Sequence, residues 1–156
     1  MLDDLDIRIL SLLQDNARIA NAAIGRDLGI TPSAVSQRIK KLEDSGVIEG
    51  YRAHLNPKAV KKGLLAFVAV QTGEGARAKE TGELLASIPE VLEVHRVVGE
   101  DCFFLKLRVE DTNALGRLLD EKIQPLPPVA STRTTIVLST AKNELPSPNG
   151  TRHEEG

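Results

Sequence analysis

Cysteine occurs once in the sequence, at Cys102. A single thiol cannot close an internal disulfide, and neither a CxxC pair nor a histidine cluster accompanies it, so disulfide scaffolds and zinc fingers are excluded together. Cys102 therefore reads as a small apolar residue of the interior. No apolar run approaches the roughly 18 residues needed to cross a bilayer. The first fifteen residues carry four aspartates and one arginine where a signal peptide would have an apolar stretch. A cytoplasmic protein with no membrane partner is expected. Also missing are a serine-histidine-aspartate constellation, a phosphate-binding glycine loop and any metal-ligand spacing. No catalytic residue, metal or cofactor is expected. Nor does one sign of charge dominate: the net charge of -2 argues against a protein that coats nucleic acid indiscriminately.

The 156 residues, 41% of them hydrophobic, suffice to bury a core but are short enough for one domain or two small ones. Two are expected. Between Thr31 and Lys62, the seven cations Arg38, Lys40, Lys41, Arg52, Lys58, Lys61 and Lys62 face only Glu43, Asp44 and Glu49, whereas residues 1–30 hold five aspartates. A basic face on an acidic chain follows.

Helical spacing carries the first third. Leu5, Ile9, Leu12 and Leu13 recur as one apolar stripe, with Asp3 or Asp4 placed to cap its start. A second helix is predicted over 21–28, with Ile24 and Leu28 inward and Gly29 as its stop. The third is the clearest: Thr31 is a good N-cap, Pro32 suits the first helical position, and Val35, Ile39 and Leu42 form the buried stripe. Gly46 closes it, and 47–55 reads as a strand. A hinge at 56–63 ends this 1–55 domain. Beyond it the pattern becomes β-α-β-β-α-β, with strands near 65–71, 91–98, 102–109 and 131–139 and helices near 76–87 and 113–122, a ferredoxin-like arrangement over 64–142. The polar, proline-containing stretch 143–156 reads as a disordered tail. The fold class is thus α+β, a winged helix-turn-helix followed by a ferredoxin-like domain.

Two short helices joined by Gly29-Ile30-Thr31 are what is needed to present a helix end to a major groove. With Val35, Ile39 and Leu42 inward, Ser33, Ser36, Gln37, Lys40 and Lys41 point away, with Arg38 at the edge of that face. Gln37 suits adenine, Arg38 guanine, the serines either base, and the lysines phosphate. An ordinary solvated face is the alternative, but such faces mix acids with bases, and no carboxylate interrupts this one before Glu43. Double-stranded DNA is the expected partner.

Several segments together resemble the Lrp/AsnC, or feast/famine, family of transcriptional regulators. Leu2-Asp3-x-x-Asp6-x-x-Ile9-Leu10, the run from Leu28 to Ile39, and Leu42-Glu43-x-x-Gly46-Val47-Ile48-x-Gly50-Tyr51 are similar to its DNA-binding half. Pro89-Glu90-Val91, Val98-Gly99-Glu100-Asp101, Phe104-Leu105-Lys106 and Thr132 to Val137 are similar to its ligand-sensing half. The resemblance implies a homodimer through the C-terminal domains, assembled further to an octamer. It implies a pseudo-palindromic operator and a small effector, an amino acid or related metabolite, where those domains meet. Carried onto this chain, the effector site comprises Gly99, Glu100, Asp101, Cys102, Thr132, Thr134 and Thr135. Loop amides suit a carboxylate, and Asp101 suits an ammonium. Two positions depart from the family pattern. Cys102 stands where many members have an acid, and Ala20 stands where a serine often caps the second helix.

Fold alone does not settle function. The sirohaem decarboxylases resemble the same two-part fold and depend on histidine and arginine; here His54, and His95 beside Arg96, are the residues available. The acid-poor face from Ser33 to Lys41 is what such an enzyme would not need. A metabolite sensor whose helix-turn-helix contacts protein is the third alternative.

Overall fold

Aspartates open the first helix. Asp3 Oδ1 accepts from the Asp6 N–H at 2.8 Å while Asp6 Oδ2 accepts from the Asp3 N–H at 3.2 Å, a reciprocal cap at the start of α1 (Asp4–Asp15). Helix α2 (Asn21–Leu28) has no side-chain cap at Ala20 and stops at Gly29, whose φ of 70° is left-handed. Its midpoint carries a second, buried glycine. The Ile30 N–H donates to the Gly25 carbonyl at 3.0 Å, and the turn passes so close that a Cβ on Gly25 would lie 2.5 Å from Ile30 O. Thr31 Oγ1 then accepts from the Ala34 N–H at 3.1 Å, and α3 (Pro32–Asp44) follows with Pro32 at its head. Ile9, Ile24, Val35 and Leu42 form the buried centre of this unit, with Leu12, Leu13, Leu28, Ile39 and Ile48 packed around it.

These coordinates are a computed structural model that describes residues 1–148, in two units: Met1–Ala53 together with 142–148, and His54–Ala141. The strand expected over 47–55 is not formed. A strand exists only by pairing, and every strand among the described residues belongs to the sheet of the second unit, so 47–55 has no ladder to join. Its placement comes instead from the Ile48 N–H, which donates to Leu42 O at 3.0 Å, and from Tyr51 Oη, which donates to Glu43 Oε1 at 2.9 Å. Burial and that carboxylate push the Tyr51 phenol up to about 12. Of the tail expected over 143–156, residues 149–156 lie outside the described residues. Within 142–148 there is no helix or strand, and Gln14 Nε2 donates to Pro146 O at 2.8 Å.

The second unit has the element order β1 (Leu64–Thr72), α4 (Ala78–Ala86), β2 (Val91–Arg96), β3 (Phe103–Val109), α5 (Thr112–Leu118) and β4 (Val129–Ile136). The strands pair antiparallel in the spatial order β2-β3-β1-β4. Alternation along the strands sends Ala66, Val68 and Val70 of β1 and Phe103, Leu105, Leu107 and Val109 of β3 toward the helices, where Leu85, Ile88, Leu115, Leu118 and Ile123 cover them. The other face carries Phe67 and Phe104, stacked with ring centroids 5.6 Å apart. Phe104 is exposed. Asp111 caps α5, which continues into one π-helical turn, Leu119–Ile123, where the Gln124 N–H reaches Leu119 O at 2.8 Å. That turn brings Ile123 into the core.

Candidate functional site

Ser33, Ser36, Gln37, Lys40 and Lys41 are exposed on one side of α3, and Arg38 is half-buried. Arg38, expected at the edge of that side, turns toward α1. One nitrogen, Nη1, lies 2.7 Å from both Asp3 Oδ2 and Asp6 Oδ1, so the guanidinium ties α3 to the capped end of α1. The guanidinium pKa is raised, first by the bond to Asp3 and then by that to Asp6. The Asp3 carboxyl is lowered, chiefly by the Asp6 N–H and then by Arg38. The attraction is strong at this position because Asp6 is nearly buried. A base-reading role for Arg38 would require its guanidinium to leave two carboxylates.

Lys40 Nζ sits 2.9 Å from Asp44 Oδ2, an exposed pair one turn apart that water screens heavily. The side chains of Ser33, Ser36, Gln37 and Lys41 bond to nothing else among the described residues, which leaves two hydroxyls, one amide and one ammonium on offer. The first turn of α3 holds no acidic side chain. Arg26, exposed in the last turn of α2, is a further cation that the sequence reading passed over. Its signal was its position in the helix that leads into the turn.

In the second unit Gly99 has a φ of 141°, a conformation side chains rarely adopt, and it turns the exposed loop between β2 and β3. Asp101 Oδ2 lies 2.7 Å from Arg133 Nη2; the carboxylate is 17% exposed and the guanidinium 66%. Gln71 Nε2 donates to the Glu100 carbonyl at 3.2 Å, and Ser131 Oγ donates to Gln71 Oε1 at 2.9 Å. Cys102 is half-buried against the core, and its N–H donates to Val70 O at 2.9 Å. Thr72 Oγ1 meets Cys102 Sγ at 3.1 Å, and this contact lowers the thiol pKa.

Register divides the expected threonines. Thr132 pairs with Val70 and Thr134 with Val68, on the face the helices cover, whereas Thr135 pairs with Phe67 and Arg133 with Ala69, on the open face. Asp101, Arg133, Gln71 and Ser131 therefore gather at the end of the open face with Thr135 further along it, and Thr132 and Thr134 stand apart. Arg133 and Gln71 were not among the residues singled out from sequence. A strict two-residue alternation through Thr132-Arg133-Thr134 would have found Arg133, but Gln71 depended on knowing that β1 lies between β3 and β4.

His95 Nε2 is 2.9 Å from Glu93 Oε2, on whose other oxygen Lys106 Nζ rests at 3.2 Å. His95 and Lys106 together hold the Glu93 carboxyl below its usual range. Among the described residues no cluster of histidine, cysteine and carboxylates could hold a metal ion. No helix among them is long and apolar enough to cross a membrane.

Residues 2–49 match the family described as winged helix-turn-helix DNA-binding, and residues 65–146 match the Lrp/AsnC ligand binding domain. The chain is 36% identical over 143 residues to the leucine-responsive regulatory protein of Escherichia coli, covering 90% of this chain and 87% of that protein. Among solved structures it is similar to a transcriptional regulator of Neisseria meningitidis in complex with L-methionine, at 31% identity and a TM-score of 0.87 over 92% of this chain and 94% of that one. It is also similar to AsnC of E. coli, at 30% identity and a TM-score of 0.84 over 93% and 97%.

Proposed function

The chain belongs to the Lrp/AsnC family of DNA-binding transcriptional regulators, and on that premise we propose how its own residues divide the work. Ser33, Ser36 and Gln37 address base edges, while Lys40 and Lys41 address phosphates. Arg38 holds the reading helix against α1, a positioning role. The observation that carries this reading is the exposed side of α3, where Ser33, Ser36, Gln37 and Lys41 have no side-chain partner among the described residues and no carboxylate occurs before Glu43. Two such helices in a homodimer would read a pseudo-palindromic operator in successive major grooves.

The open sheet face, with the Phe67–Phe104 stack at its middle, is the dimer surface in this reading, and dimers assemble to an octamer. The effector is a small molecule, an amino acid or related metabolite. L-Methionine in the Neisseria relative supports that class. Asp101 would receive the ammonium and Arg133 the carboxylate, assisted by the Gly99 and Glu100 amides and by Thr135. Gly99 and Glu100 are exposed in a single chain, which suits a site completed by a second copy. Such an effector acts only by favouring one assembly geometry, a coupling of about 1–3 kcal/mol. The protein is a regulator and not an enzyme in this reading, and it works in the cytoplasm.

Selection of operator sequences from random duplexes, followed by anisotropy titration of the full chain, tests the proposal. A half-site repeated at one helical turn with affinity that rises or falls on adding an amino acid is expected. Equal affinity for all duplexes would overturn it.

A further inference from the structure

Three local irregularities converge on a recess of about 360 Å³ at the end of the second unit that holds the close of β3, the segment before β1 and the helix α5. The first is Lys61, the one described residue other than glycine with a positive φ, 54°, in a turn closed by the Lys62 N–H on Pro57 O at 2.7 Å. The second is the π-helical turn Leu119–Ile123, which carries Glu121 and Lys122 to the rim. The third is Glu90. Its Oε1 accepts from Lys122 Nζ at 2.7 Å, but Oε2 is buried with no hydrogen-bond partner among the described residues. The bond from Lys122 is what chiefly holds the Glu90 carboxyl below its usual range, against its partial burial, with its own main-chain N–H and the field of Lys62 adding to it. Strained backbone and π turns of this kind collect at functional sites, and an unmet buried oxygen calls for a donor.

The lining decides what that donor belongs to. Lys61, Lys62 and Arg117 bring cations to the same recess and make no side-chain bond among the described residues, and Val109 and Leu118 supply an apolar wall. A bare cation seeking Glu90 would meet four positive side chains, Lys122 included. A bare anion would leave Glu90 Oε2 unmet and feel Glu110 and Glu121. Only a molecule with both charges satisfies the two halves. The volume is that of small-ligand sites.

We propose that this recess is a second small-molecule site, for a free zwitterion of the amino-acid class, with the ammonium on Glu90 Oε2 and the carboxylate among Lys61, Lys62 and Arg117. It is built from residues unrelated to the Gly99–Asp101 loop, at the other end of β3. The basic run Lys61-Lys62, which DNA reading does not require, finds its use here.

Calorimetric titration of the full chain with each standard L-amino acid, and with acetate and methylammonium as single-charge probes, tests this site. At least one amino acid should bind with an affinity that Glu90→Gln and, separately, Arg117→Gln weaken by about tenfold or more. Asp101→Asn should leave that binding intact, and neither single-charge probe should compete. Arg117 is exposed, so its variant keeps the test decisive if Glu90→Gln fails to fold. Binding lost in Asp101→Asn but unchanged in both recess variants would refute the second site and leave the loop reading standing. Loss in the recess variants alone would support the second site, and a separate binding event lost only in Asp101→Asn would support the loop reading beside it. No amino-acid binding at all, or acetate binding as tightly as the amino acid, would also overturn the proposal.

Discussion

Gly25 and Ile30 approach so closely that a methyl group on Gly25 would sit 2.5 Å from the Ile30 carbonyl oxygen. Backbone lies on the far side of that contact, so no flexible side chain can yield. Gly25→Ala should lower the stability of the first unit by about 1–3 kcal/mol, despite alanine's better helix propensity. Thermal unfolding of variant and parent provides the measurement, and an unchanged midpoint would show that the turn is pliant.

Arg38 shares one nitrogen between Asp3 and Asp6. Arg38→Ala should weaken binding to every duplex by a similar factor, since the reading helix loses its fastening to α1, and should leave the ranking of operator sequences unaltered. A change of preferred base at a single position would return Arg38 to the reading face.

Gln37 and Lys41 separate the two kinds of DNA contact. Gln37→Ala should relax discrimination at one base position by about 1–3 kcal/mol. Lys41→Ala should weaken all sequences alike and reduce the slope of log affinity against log salt by about one. Anisotropy titrations at several salt concentrations distinguish the two outcomes.

The Asp3 carboxyl is depressed in the folded chain by the Asp6 N–H and by Arg38. A depressed acid binds fewer protons folded than unfolded, so its contribution is complete above the ordinary aspartate range near pH 4 and disappears as pH falls through the lower folded value. Asp3→Asn should therefore flatten the acid limb of the stability curve below about pH 4 and leave its neutral region parallel to the parent. Denaturant unfolding at stepped pH measures this.

Phe104 is exposed beside Phe67 on the uncovered side of the sheet. Phe104→Lys should shift the chain toward monomer in size-exclusion chromatography with light scattering, while a fragment spanning Leu64 to Asn143 should remain dimeric. Dimers in the lysine variant would place the subunit contact elsewhere.

Much of the fold could be read from periodicity because each helix carries both its stripe and its punctuation. Thr31-Pro32 before Val35-Ile39-Leu42 determines α3 locally, and the observed cap is the one those residues imply. Residues 47–55 misled because β-rich composition records a preference that only a neighbouring strand can satisfy. Arg38 was legible only in part. Helical spacing places it at the border of the exposed face, and its direction depends on Asp3 and Asp6, more than thirty residues earlier in the chain. The loop at Gly99 was visible as a turn, but its partners Gln71 and Arg133 come from strands whose order no local pattern encodes.

The π turn after α5 gives the chain slack in length at that point. Five residues, Leu119 to Ile123, are held where an α-helix would close its ring one residue sooner. Removing Leu119 or Asp120 would let the turn close as α-helix, and the residues after it would keep nearly the same direction. Ile123 would stay in the interior and Lys122 beside Glu90. Homologous chains one residue shorter here should therefore keep an apolar residue at the place of Ile123 and a cation facing an acid at the places of Lys122 and Glu90.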